Sequence, residues 1–171
     1  AALMRAAQEG LIDREGRHVV ILSTGRTDLT IQELSRAELG DNLDLLINVL
    51  DKWLVDFTDP KQEIREALEN ALDNGYVLAA LVDRAIVGIC VLSTMELDTF
   101  FPRYHLSYIA ADNSYEGRGV GTLLIQRAAE LTGGEMSLHV ERDNEKAIKL
   151  YQKMGFDIKY HRMHYQGGGE I

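Results

Sequence analysis

The sequence predicts a mixed α/β domain, and three observations carry that prediction. Two apolar runs, Tyr76–Val82 and Ala85–Thr94, flank a tight turn at Asp83-Arg84 and read as a β-hairpin. Two amphipathic helical segments come before that hairpin, so strands and helices do not alternate regularly. A further apolar run, Tyr104–Ala111, enters a glycine-rich loop that opens another helix. The 171 residues, 46% of them hydrophobic, suit one compact domain with its own core.

A short helix from Leu3 to Glu9, a turn at Gly10 and a strand over 18–22 form an expected N-terminal extension, 1–29, that ends in a polar stretch. A strand over 29–34 follows, then a helix over 37–54 whose Leu39, Leu43, Leu46, Leu50, Trp53 and Leu54 keep helical spacing. Asp59, Pro60 and Gln62 make a helix start, with a capping carboxylate and proline at the first helical position. Ile64, Ala67, Leu68, Ala71 and Leu72 give that helix its apolar stripe, which Asn74-Gly75 stops. Beyond the glycine loop, Val120, Leu123, Leu124, Ala128 and Leu131 share one helical face, and Gly133-Gly134 ends it. A strand over 136–140, a helix over 144–154 and a last strand over 157–163 complete an expected domain 30–165, with 166–171 a disordered tail.

The formal charge is −9, from 18 Lys+Arg against 27 Asp+Glu, and no basic run interrupts it. Nucleic acid and anionic membrane are therefore not expected partners, and a cationic substrate is mildly favoured. No apolar run approaches the ~20 residues of a membrane span, and the first residues lack a signal-peptide layout. A soluble cytoplasmic protein is the expectation. The single cysteine, Cys90, leaves no internal disulfide and no thiolate cluster, and its apolar strand predicts a buried, inert thiol. His161 and His164 have no acidic or cysteine companions, so no metal site is expected.

The glycine loop aims backbone N–H groups toward one point at a helix N-terminus, the chemistry of a phosphate cradle. A P-loop would need Gly-Lys-Ser/Thr, and Gly119-Val-Gly-Thr122 has no lysine. A dinucleotide fingerprint would need glycine at 122, and the loop comes late in the chain for one. The block Tyr115-Glu-Gly-Arg-Gly-Val-Gly121 instead resembles the acyl-CoA pyrophosphate loop of the GNAT family of N-acetyltransferases. The block Asn144-Glu-Lys-Ala147-Ile-Lys-Leu-Tyr151-Gln-Lys-Met-Gly155-Phe156 resembles that family's N-x-x-A-x-x-L-Y-x-x-x-G-F segment at every named position. One position departs: Glu116 stands where the family usually has Gln or Arg. A carboxylate there would repel a pyrophosphate, so Glu116 is expected to point away.

The resemblance implies a mostly antiparallel central sheet, splayed between the strands that flank the acyl-CoA site, with helices on both faces. It implies acetyl-CoA as cosubstrate and a small-molecule or peptide amine as acceptor, with a homodimer as a compatible assembly. Ile109, Ala110, Ala111, Gly117, Arg118, Gly119, Val120, Gly121, Thr122 and Asn144 are then the expected coenzyme A contacts. A bulge in 106–111 would open the sheet and expose N–H groups around Ile109 and Ala110 to the thioester carbonyl. Tyr151 is the expected general acid; it lies seven residues after Asn144, about 10 Å along one helix face. Read without the resemblance, Asn144 is a helix cap and Tyr151 a core residue.

His139 is the expected general base, with Tyr108, His105 and Glu141 as lesser candidates. The loop holding Glu96, Asp98, Phe100 and Phe101 is expected to line the acceptor pocket. A shorter likeness joins Glu9-Gly-Leu-Ile-Asp13 and Val19-Val-Ile-Leu-Ser-Thr-Gly25 to the closing segment of threonine-synthase-like pyridoxal-phosphate enzymes. No Schiff-base lysine is assigned, so no pyridoxal chemistry is expected here. Two functions compete: an N-acetyltransferase, or a silent acyl-CoA-binding module that regulates an attached enzyme.

Overall fold

A computed structural model of the chain describes residues 20–21 (backbone only), 29–96 and 101–167. Most of the 1–29 extension, its threonine-synthase-like likeness and the tail beyond 167 lie outside the described residues. Six strands form one sheet in sequential order. β1 (Val20–Ile21), β2 (Leu29–Glu33), β3 (Tyr76–Val82), β4 (Ala85–Thr94) and β5 (Tyr104–Ala111) pair antiparallel in turn. β6 (Met136–Leu138) pairs parallel with β5. Between β2 and β3 come α1 (Arg36–Leu39), α2 (Leu43–Leu54) and α3 (Lys61–Asn74). α4 (Val120–Thr132) joins β5 to β6, and α5 (Glu145–Lys153) follows β6.

The sheet is covered on both faces. Val77, Ala79, Ile89 and Val91 pack against Leu46, Leu50, Ile64 and Leu68 of α2 and α3. Leu78, Ala80, Cys90 and Leu92 pack with Leu124, Ile125 and Ala128 of α4 and Tyr151 of α5. Burial on both faces explains why β3 and β4 read as unbroken apolar runs rather than alternating ones. Asp83 and Arg84 both take positive φ, 47° and 70°, the backbone that a two-residue hairpin loop needs to match strand twist.

Four expectations need correction. The helix over 37–54 is two helices, because Gly40 turns to φ 53° and a 3₁₀ turn, Gly40–Asn42, intervenes. Ser35 and Glu38 form a capping box for the first of them. Asp59 does not cap α3, whose flanking residue is Pro60; its carboxylate instead accepts from Tyr108. The strand expected over 136–140 stops at Leu138, leaving His139 exposed just past its end.

The segment 157–163 forms no strand. A strand needs a neighbour's N–H and C=O groups, and β6 offers on its other side an edge only three residues long. Ile158, Tyr160 and Met163 are exposed as a result.

Candidate functional site

β5 and β6 pair only at Tyr104↔Met136, His105↔Ser137 and Leu106↔Leu138. Beyond Leu138 the β6 ladder ends, so the second half of β5 is open on that side among the described residues. A bulge marks where the opening begins. The β4 register runs from Val91↔Tyr108 to Leu92↔Leu106, which leaves Ser107 as an extra residue on β5. That residue swaps the faces: Leu106 joins the α4/α5 core and Tyr108 the α2/α3 core.

The Asp112 N–H donates to Val87 O at 2.9 Å, which fixes the alternation along β5. Ala110 therefore directs its backbone groups at β4, while Ile109 and Ala111 direct theirs into the opening. The expected pair around Ile109 and Ala110 thus becomes Ile109 and Ala111, because adjacent strand residues point to opposite edges.

The glycine loop follows directly. Asp112 accepts from Ser114 N at 2.9 Å and sets up a 3₁₀ turn, Asn113–Tyr115. Gly117 and Gly119 then take φ of 72° and 80°, a backbone that favours glycine, and α4 begins at Val120. The N–H groups of Gly117, Gly119, Val120, Gly121 and Thr122 have no protein acceptor among the described residues. Gly88 lets this end of α4 sit on the sheet, since a Cβ there would meet Val120 Cγ1 at 2.5 Å. Arg118 lies over the Tyr115 ring at 5.0 Å. The Glu116 carboxylate pairs with Lys146 of α5, a partner that the sequence reading missed.

Asn144 does cap α5, its Oδ1 accepting from Ala147 N at 3.2 Å. Tyr151 is buried in the α4/α5 core, edge-on to Phe156 with centroids 5.7 Å apart. Burial, with the Cys90 thiol nearby, pushes its phenol up to about 12. Its hydroxyl makes no hydrogen bond among the described residues. Cys90 is fully buried and its thiol is pushed up to about 12 by that burial.

The other face carries a different set. Ser93, beside His105 in the ladder, donates to Ala67 O of α3, which puts this row on the α3 side. The His105 Nδ1 lies 3.3 Å from Ser137 Oγ, and its ring sits 4.7 Å from that of His139. Burial first, then the neighbouring His139, pulls the His105 imidazole down to about 4. Tyr108 Oη donates to Asp59 Oδ2 at 2.7 Å. Burial, that bond and the charges of Asp59 and Glu63 all push its phenol up, so Tyr108 is a donor rather than a base.

Glu141 is exposed beyond β6, and His161 and His164 are exposed and irregular. Asp98 and Phe100 lie outside the described residues. A cleft of about 460 Å³, lined by Phe101, Pro102, Arg103, Gly134 and Glu135, opens at the Tyr104 end of β5, away from the glycine loop.

Among curated proteins, the chain is 29% identical to N-alpha-acetyltransferase RimI of Mycobacterium tuberculosis, over 59% of this chain and 65% of that protein. It is 31% identical to an N-alpha-acetyltransferase of Sulfurisphaera tokodaii, over 67% of this chain and 70% of that one. A match at 38% identity to an uncharacterized Mycobacterium leprae protein spans 49% of this chain and 23% of the relative. The chain thus covers less than two thirds of RimI and under a quarter of the leprae protein.

Among solved structures, aminoglycoside N-acetyltransferase AAC(6')-Iy in complex with CoA is similar at TM-score 0.63 and 17% identity, over 85% of this chain and 99% of that one. Ard1 from Thermoplasma volcanium is similar at TM-score 0.59 and 22% identity, over 77% and 84%. Both share the fold. Residues 46–156 match the acetyltransferase (GNAT) family, and the chain belongs to that family.

Proposed function

We propose that this chain is an N-acetyltransferase that moves an acetyl group from acetyl-CoA to a primary amine by direct transfer in a ternary complex. The observation that carries the reading is the opening between β5 and β6. The inward N–H groups of Ile109 and Ala111 run through Asp112 into the free donors of the glycine loop. Acetyl-CoA supplies an activated acetyl group: a C–N bond forms, the C–S bond breaks, one proton leaves the amine and one reaches the sulfur.

The N–H groups of Gly117, Gly119, Val120, Gly121 and Thr122, with Arg118, hold the pyrophosphate. The Ile109 N–H stabilises the oxyanion, and the Ala111 N–H, about 6.7 Å further toward the glycine loop, meets the coenzyme arm. Asn144 steadies the start of α5 and meets the coenzyme arm. Tyr151, kept protonated by burial, donates to the departing sulfur. His139 takes the proton of the acceptor ammonium, directly or through water. His139 stands with His105 on the α3 side and Tyr151 in the α4/α5 core, so amine and cosubstrate approach from opposite faces.

Release of free thiol from acetyl-CoA, measured over peptide N-termini, amino acids and polyamines, tests the reading. The names of the relatives put α-amines first in that panel. Turnover on at least one amine is expected. Saturable acetyl-CoA binding with no turnover on any would favour the silent regulatory module instead.

A further inference from the structure

The glycine loop holds an acid where an anion is to be bound, and the structure pairs that acid with a cation from another element. Glu116 meets Lys146, which sits in the first turn of α5, two residues past the Asn144 cap. The macrodipole at this helix start favours an anion, and Lys146 adds a positive charge beside Glu145 in the same turn. Both partners are open to water, the Lys146 side chain 77% and the Glu116 side chain 59% exposed, and a pair so exposed contributes little and re-pairs at small cost. A pyrophosphate offers more charge and more acceptor oxygens than one carboxylate. Arg118, the loop's own cation, is stacked on Tyr115. With a formal charge of −9, the chain attracts an anion only through local groups.

We propose that Lys146 is a phosphate-binding residue that stands in for the side chain Glu116 does not supply. It masks Glu116 without ligand and turns to the coenzyme A pyrophosphate on binding. This rests on the acetyl-CoA reading and adds to it a residue from outside the loop.

Dissociation constants for acetyl-CoA and for S-acetylpantetheine, which lacks the pyrophosphate, test it by calorimetry. Lys146→Ala is expected to weaken acetyl-CoA about tenfold and to leave S-acetylpantetheine unchanged. Lys146→Arg restores most of the loss. Glu116→Gln tightens acetyl-CoA about threefold, and in that background Lys146→Ala costs less than it does alone. Unchanged acetyl-CoA affinity in Lys146→Ala, or equal losses for both ligands, would overturn the proposal. A wild-type chain that binds neither ligand would overturn the acetyl-CoA reading itself, a result distinct from normal wild-type binding with indifferent variants.

Discussion

The two faces of the sheet meet the β5–β6 opening with different chemistry. On the α4/α5 face the reacting end is lined mostly by backbone: the loop N–H groups, then the Tyr151 phenol in a largely apolar core. On the α2/α3 face the polar groups are side chains, with His105 packed at a tilt against His139 and Tyr108 hydrogen-bonded to Asp59. A face built from backbone donors suits a fixed anionic handle. A face of titratable side chains suits a proton-losing acceptor. The Ser107 bulge makes the division, because one extra residue sends Leu106 and Tyr108 to opposite cores.

The largest expected effect comes from breaking the α4/α5 side at its buried phenol. On the proposed role of Tyr151 as donor to the leaving sulfur, Tyr151→Phe should lower kcat about 100-fold while acetyl-CoA affinity stays put. An unchanged rate would remove Tyr151 from the chemistry.

The same contrast explains what was legible in the sequence. The glycine loop and the Asn144–Phe156 block are each an unbroken stretch, so local pattern announced a phosphate cradle, a helix cap and a core tyrosine. Resemblance to a family added their expected ligand. The hairpin was legible because its turn and its doubly buried strands are local features. The α2/α3 face was not. Asp59 and Tyr108 are 49 residues apart, and Asp59 looked like a helix cap until the fold gave its carboxylate to Tyr108. The Glu116–Lys146 pair spans 30 residues and was equally hidden. The strand expected over 157–163 failed for a related reason: a strand needs a neighbour, and that neighbour is set by residues distant in the chain.

His139→Ala tests the other face. It should cut kcat about 30-fold and leave acetyl-CoA affinity unchanged. An unchanged kcat would shift the proton-accepting role to Glu141 or water.

His105 gives a smaller effect, read in stability. It stays neutral down to about 4 in the folded chain, whereas an unfolded histidine protonates near 6.5. The unfolded state therefore binds more protons as pH falls, and stability declines from 6.5 toward 4. With its partial exposure discounted, the loss is about 2 kcal/mol. Urea unfolding at pH 7 and pH 4 should show that difference shrinking in His105→Gln. An identical difference in both proteins would contradict the assignment.

Asp59→Ala should be the mildest. Losing the acceptor for Tyr108 costs about 1 kcal/mol of stability and raises KM for the amine a few-fold, with acetyl-CoA affinity unchanged. A weakened acetyl-CoA affinity would place Asp59 on the wrong side of the division.

The division itself is tested most directly by following backbone amide NMR signals while acetyl-CoA is added and then an amine. The first addition should shift Ile109, Ala111, Gly117, Gly119, Val120, Gly121 and Thr122 and leave Asp59 and His105 in place, and the amine should then move the second pair. Acetyl-CoA shifts centred on Asp59 and His105, with the glycine loop silent, would contradict the account.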